Sequence, residues 1–191
     1  MAERLAGRLA LVTGGTRGIG AAICRRLLAD GANVITTGTR SDGKGPEGCA
    51  YRAMDFTDPV ATEAFAAEVA GLGIDILINN AGINKIGPFL GLDAADFDRI
   101  QEVNARAPFL LCRAVIPCMR RKRWGRIVNI TSIFSKISRE HRGPYSASKF
   151  ALAGLTAALA VELLARPLLR LTTVTIFWPV HVATGRLMRL S

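Results

Sequence analysis

The sequence predicts an α/β fold, a Rossmann-like doubly wound parallel sheet with helices on both faces. Three observations predict it. The apolar run Leu9–Val12 leads through a glycine-rich stretch, TGGTRGIG at 13–20, into a helical pattern. Short apolar or β-branched runs then alternate with longer segments of helical period. Two of those runs, at 74–78 and 127–130, are continuously apolar, as strands covered on both faces must be.

The elements follow in order. Leu9–Val12 reads as a strand, residues 18–30 as a helix closed by Gly31, and residues 33–37 as the next strand. A strand at 50–54 precedes Asp58-Pro59, an N-cap with proline at the first helical position. A strand at 74–78 ends in Asn79-Asn80-Ala81-Gly82. Helices at 91–103 and 105–123 come before the strand at 127–130, which ends in Thr131-Ser132. A polar loop at 135–143 leads to Pro144, which opens a helix to about residue 165. Residues 171–177 are β-branched enough to be a further strand. The alternation is that of a Rossmann-like fold.

At 191 residues, half of them hydrophobic and 21% charged, the chain reads as one domain over 1–191. The N-terminus has no apolar signal core, and the apolar stretch at 150–161 is too short to cross a bilayer. The expectation is a cytoplasmic protein with no membrane partner. Cys24, Cys49, Cys112 and Cys118 show no metal spacing, alone or with His141 and His181, so free thiols and no metal are expected. The net charge of +10 is spread out, except at Arg120, Arg121, Lys122, Arg123 and Arg126. That cluster fits either a helix C-terminus complementing its dipole or a docking patch for an acidic partner. No nucleic-acid partner is expected.

The glycine stretch has the chemistry of a phosphate cradle. Gly14 permits a sharp turn, Gly18 a close approach of ligand to backbone, and Gly20 tight packing of the helix. The free N–H groups of the helix start suit a pyrophosphate. The spacing is G-x-x-x-G-x-G, and a plain glycine-rich turn is the alternative. At the end of the second strand, Thr36-Thr37-Gly38-Thr39-Arg40 carries no acid to hold a ribose 2′-hydroxyl. Arg40, with Arg17 in the glycine loop, favours the 2′-phosphate of NADP(H) over NAD(H).

Tyr145 and Lys149 stand one helical turn apart on one face. A tyrosine titrates near ~10, and a neighbouring ammonium favours its phenolate. Ser132, at the end of a strand, is placed to bind a carbonyl oxygen. A lone Y-x-x-x-K is weak evidence, since a surface pair has the same spacing.

Together these residues resemble the short-chain dehydrogenase/reductase family, in its order: TGGTRGIG (13–20), Asp55, NNAG (79–82), Asn104, Ser132 and YSASK (145–149). Within it, the chain is most similar to the 3-oxoacyl-[acyl-carrier-protein] reductases. The resemblance implies an oxidoreductase acting on CH–OH or C=O groups, with Asn104, Ser132, Tyr145 and Lys149 catalytic. It implies cofactor contacts from Gly14, Thr16, Arg17, Gly18, Ile19, Gly20, Thr37, Arg40, Asp55, Phe56, Asn80, Ala81, Gly82, Tyr145, Lys149, Pro179 and Thr184. Tyr145 would donate the proton, Lys149 hold the nicotinamide ribose, and Asn104 hold a relay water. It also implies a small or carrier-bound carbonyl substrate, docking of an acidic carrier at 121–123, and homodimers or homotetramers.

The resemblance covers residues 5–166 and implies a fold whose C-terminal part is incomplete. Beyond, Pro167 ends the helix, Val180 follows Pro179 where the family has glycine, and no acidic residue follows Glu162. Residues 167–191 are expected to be a divergent short tail or one foreign to the fold, from a shifted frame or a truncated product. The alternative function is then a weakly active or non-catalytic nucleotide-binding member.

Overall fold

The computed structural model describes residues 4–164 and 169–174. Pro179 and Thr184 lie outside the described residues, as does most of the 167–191 tail. Six strands form one sheet: β1 (Leu9–Val12), β2 (Asn33–Gly38), β3 (Cys49–Ala53), β4 (Ile76–Asn79), β5 (Gly125–Ile130) and β6 (Leu169–Val174). Their spatial order is β3-β2-β1-β4-β5-β6, and every pairing is parallel. The order reverses between β1 and β4, which puts a ligand crevice at the carboxyl ends of those strands.

Alternation along the strands divides the core into two layers. Leu11, Ile35, Leu77 and Ile127 face one way, onto Phe65 and Val69 of α2 (Pro59–Leu72) and Leu111, Val115 and Met119 of α4 (Ala107–Lys122). Ala10, Val12, Val34, Ile76, Ile78 and Ile130 face the other way, onto Cys24, Ile23 and Leu27 of α1 (Gly18–Ala29). Asp58 caps α2 as its sequence predicts, its Oδ1 accepting from the N–H groups of Val60 and Ala61 at 2.9 and 3.0 Å.

The stretch read as two separate helices is built differently. A short 3₁₀ turn, Phe89–Gly91, precedes Asp93, which caps α3 (Ala94–Gln101). The chain then runs through a π-helical segment, Glu102–Arg106, directly into α4. The wide turn directs Asn104 into the interior, where it is wholly buried. α5 spans Gly143–Leu164. By length and composition alone, Gly143–Leu163 is long and apolar enough to cross a membrane, whereas the apolar stretch at 150–161 within it reads as too short. In the structure it packs beside α3, the π segment and β6.

All four cysteines are free, Cys24 and Cys112 buried and the other two half-buried. Burial pushes the Cys112 thiol up to about 12, so it stays protonated and inert.

The basic cluster sits where α4 ends and β5 begins, at the amino edge of the sheet. Lys122 reaches back to Asp75 at 2.9 Å and to the Gly73 carbonyl at 2.6 Å. Arg8 and Arg126 both lie against the ring of Trp124, their Cζ atoms 3.9 and 4.8 Å from its centroid. Lys122 and Arg126 therefore close the seam between β1, β4 and β5, while Arg120, Arg121 and Arg123 are exposed.

Candidate active site

The glycine loop is held open from below. Thr13 is its anchor: buried, it accepts from the N–H groups of Asn80 and Ala81, each at 3.0 Å. Asn80 returns two bonds, from Nδ2 to the carbonyls of Thr13 (2.9 Å) and Gly14 (3.0 Å). The stretch after β4 thus pins the stretch after β1. Gly14 and Gly18 take φ of 65° and 54°, a region that side chains disfavour. Gly20 packs against the loop, since a Cβ there would stand 2.4 Å from the Gly14 carbonyl oxygen. Gly15, which the motif reading passed over, is tighter still: its Cβ would lie 2.0 Å from Thr36 Oγ1.

α1 begins at Gly18 with no side chain capping it and no acid in its first turn. Thr16, Arg17, Gly18 and Ile19 are exposed around this end. That is the surface a pyrophosphate needs: unclaimed N–H groups at a positive helix pole, with open space over Gly18.

The side chains of four other expected cofactor residues have partners within the chain. Thr37 is buried and accepts from the Gly14 N–H at 3.1 Å, so its side chain supports the loop instead of facing a ligand. Phe56 is buried edge-on to Phe65, with centroids 6.0 Å apart, which leaves only its main chain for a ligand. Asp55 Oδ1 accepts from the N–H and hydroxyl of Thr57, both at 2.9 Å. Arg40 is exposed but paired: its Nε and Nη2 donate to Asp42 at 3.0 and 2.9 Å.

The second cluster lies beyond the carboxyl ends of β4 and β5. Lys149 is buried and donates to the Ile130 carbonyl at 2.9 Å. Burial lowers its ammonium from 10.5 to about 8. Its Nζ stands 5.7 Å from the centroid of the Tyr145 ring. A Cβ on Gly82 would stand 3.3 Å from Asn104 Oδ1 and 3.6 Å from Lys149 Nζ, so these three residues meet.

Asn104 is fully engaged as a donor. Its Nδ2 bonds the Ile83 carbonyl and Ser148 Oγ, both at 2.9 Å, while Oδ1 accepts from the Ile83 N–H at 2.8 Å. Ser148, absent from the sequence-based set, passes the link on by donating to the Tyr145 carbonyl at 2.7 Å. The Phe134 N–H donates to Ser132 Oγ at 3.2 Å. Accepting this bond leaves the Ser132 hydroxyl its own proton to donate. Beneath the cluster, Asn79 donates to Asn129 and Asn129 to Thr156, each at 2.8 Å, tying β4, β5 and α5 together.

A tyrosine, a buried ammonium and a serine hydroxyl stand at the same end of the sheet as an uncapped helix end and a glycine loop. The arrangement suits moving a proton on a carbonyl oxygen next to a bound dinucleotide.

Comparison with known proteins agrees. The family model described as short chain dehydrogenase matches residues 8–190. Nodulation protein G of Rhizobium sp. (strain N33) is 41% identical over 170 residues, covering 85% of this chain and 69% of that protein. The 3-oxoacyl-[acyl-carrier-protein] reductase of Aquifex aeolicus (strain VF5) is 36% identical over 182 residues, covering 88% of this chain and 73% of the reductase. Among solved structures, a metagenomic short-chain oxidoreductase in complex with NADP superposes with a TM-score of 0.80. It is 36% identical, and the match covers 90% of this chain and 82% of that one.

Proposed function

The chain belongs to the short-chain dehydrogenase family, oxidoreductases acting on alcohol and ketone groups, and from that premise we propose that it is an NADPH-dependent carbonyl reductase. The observation that carries the reading is Lys149: an ammonium withdrawn from water, held by the Ile130 carbonyl and set against the Tyr145 ring. A lysine kept buried at such cost is there for its charge.

In this reading Tyr145 gives its phenolic proton to the carbonyl oxygen, and Ser132 donates the hydrogen bond that orients that oxygen. Lys149 holds the nicotinamide ribose and stabilises the phenolate left on Tyr145. Asn104, proposed from the sequence as the holder of a relay water, acts as a positioning residue. Its side chain fixes the Ile83 main chain and, through Ser148, the Tyr145 carbonyl. Gly14, Gly18 and Gly20 line the pyrophosphate, Asp55 the adenine, and Asn80, Ala81 and Gly82 the adenosine ribose. Arg17 and Arg40 read the 2′-phosphate. Bound NADPH supplies the hydride to the carbonyl carbon.

The basic cluster at 120–126 lies at the amino edge of the sheet, across the sheet from the ends that carry Ser132 and Tyr145. Delivery of a carrier-bound chain from that patch into the same subunit's site is therefore disfavoured. α4 and α5 leave Phe109, Phe150, Leu155 and Val161 exposed beside a groove of about 300 Å³. We propose that a second copy covers this face, as the family resemblance implies; sedimentation as a monomer at micromolar concentration overturns that.

The deciding experiment is a fluorescence titration with NADPH and, separately, NADH, followed by a screen of ketones and 3-oxoacyl thioesters. Tight NADPH binding, weak NADH binding and NADPH oxidation are expected. Binding of neither cofactor refutes the proposal.

A further inference from the structure

After β5 the chain passes Ser132 and enters a 3₁₀ turn, Ile133–Ser135, which sets the Phe134 ring edge-on to Tyr145. The centroids are 6.2 Å apart and the planes at 78°. Two guanidinium groups gather on the same ring. Arg142 Cζ lies 5.6 Å from its centroid and Arg139 Cζ 6.0 Å. Between them, His141 takes a φ of 64°, a turn that few residues other than glycine adopt. It brings Arg142 back over Phe134.

These cations lack anions. Among the described residues, neither Arg139 nor Arg142 forms an ion pair. Glu140, between them, is exposed and pairs with neither. The Arg142 Nε–H is buried with no hydrogen-bond acceptor among the described residues. α5 starts at the next residue, with no acid in its first turn, so its positive pole adds to the field.

We propose that Arg142 and Arg139 form an anion subsite that takes the carboxylate of an oxo acid whose carbonyl lies at Tyr145 and Ser132. The inference rests on the reductase reading above. Phe134 separates the carboxylate from the reacting carbonyl, so the substrate is a short oxo acid with a few carbons between the two groups. A carrier thioester has no charge in that position to pair with the two guanidinium groups. The carbonyl gains one hydride and one proton to become a hydroxyl, NADPH leaves as NADP⁺, and the carboxylate is unchanged.

The test compares acetoacetate, 4-oxopentanoate and 5-oxohexanoate with their ethyl esters, at saturating NADPH. Wild type, Arg142→Met, Arg142→Lys and Arg139→Met are assayed. At least one acid is expected to exceed its ester in kcat/KM by about tenfold or more. That ratio collapses in Arg142→Met through KM of the acid and recovers partly in Arg142→Lys. A calorimetric titration of butyrate into the NADPH complex gives a second readout, with binding weakened in both methionine variants. Esters reduced as well as acids, or butyrate binding indifferent to both arginines, overturns the subsite and leaves the reductase standing. Failure to bind NADPH overturns the reductase reading and the subsite with it.

Discussion

The ammonium of Lys149 is held by the main-chain oxygen of Ile130, 2.9 Å away at the end of β5. Its low value of about 8, against 10.5 in the unfolded chain, ties the site to stability. Below pH 8 both states carry the proton, and the folded state bears the whole cost of burying it. Between 8 and 10.5 the folded lysine sheds the proton while the unfolded one keeps it, so the wild type gains stability as pH rises. Lys149→Met removes this dependence. Its stability relative to wild type should fall by about 3 kcal/mol from neutral pH to pH near 11, read from denaturant melts. A constant difference across that range refutes the assignment.

Tyr145→Phe should lower turnover roughly 100- to 10,000-fold, the usual worth of a positioned acid–base group. NADPH affinity should change by less than about twofold, because the ring and its contact with Phe134 remain. Stopped-flow turnover and a fluorescence titration separate the two effects.

Asp42 competes for Arg40. The guanidinium holds the Asp42 carboxyl below the usual carboxylate range through their two hydrogen bonds. A 2′-phosphate must displace it. Asp42→Asn should tighten NADPH roughly two- to fivefold and leave NADH unchanged, with the gain vanishing in high salt. Equal changes for both cofactors exclude Arg40 as the phosphate reader.

Gly15→Ala should harm both fold and cofactor site. The new methyl meets Thr36 Oγ1, which is fixed by its own bond to the Val12 carbonyl at 3.0 Å, and Cys24 Sγ at 2.7 Å. Overpacking of this kind costs about 1–3 kcal/mol. A lower Tm with NADPH weakened about tenfold or more is expected.

Asn129→Ala strips the acceptor from Asn79 and the donor from Thr156, all three buried. A loss of about 1–3 kcal/mol in chemical unfolding is expected. An unchanged midpoint means water replaces the amide.

Strand positions were legible because parallel strands covered on both faces have to be apolar, and the Asp58 cap because its chemistry is local. The proposed catalytic set, Asn104, Ser132, Tyr145 and Lys149, rests on the order of motifs in the family resemblance, because the spacing of Tyr145 and Lys149 alone fits a surface pair equally well. What escaped depends on contacts distant in sequence. Nothing near Asn104 announces a π segment, whose wide turn serves bonds to Ile83 and Ser148. Thr37 and Phe56 sit at the expected places, but only tertiary packing reveals that their side chains point inward. The pairing of Arg40 with Asp42 is local, but it depends on how the turn between them folds, which residue types alone do not fix.

The bonds between Asn80 and the glycine loop also set an order of events as the chain folds. Asn80 and Thr13 are separated by 67 residues, and β4 pairs with β1 only after α1, β2, β3 and α2 have been made. A nascent chain that has emerged only as far as β3 holds the whole phosphate-binding motif without its clasp. Closure of the cradle depends on a long-range pairing, whose loop-closure cost must be met before its bonds form. Nucleotide captured during refolding should therefore report the docking of β4, not the appearance of the first βαβ unit.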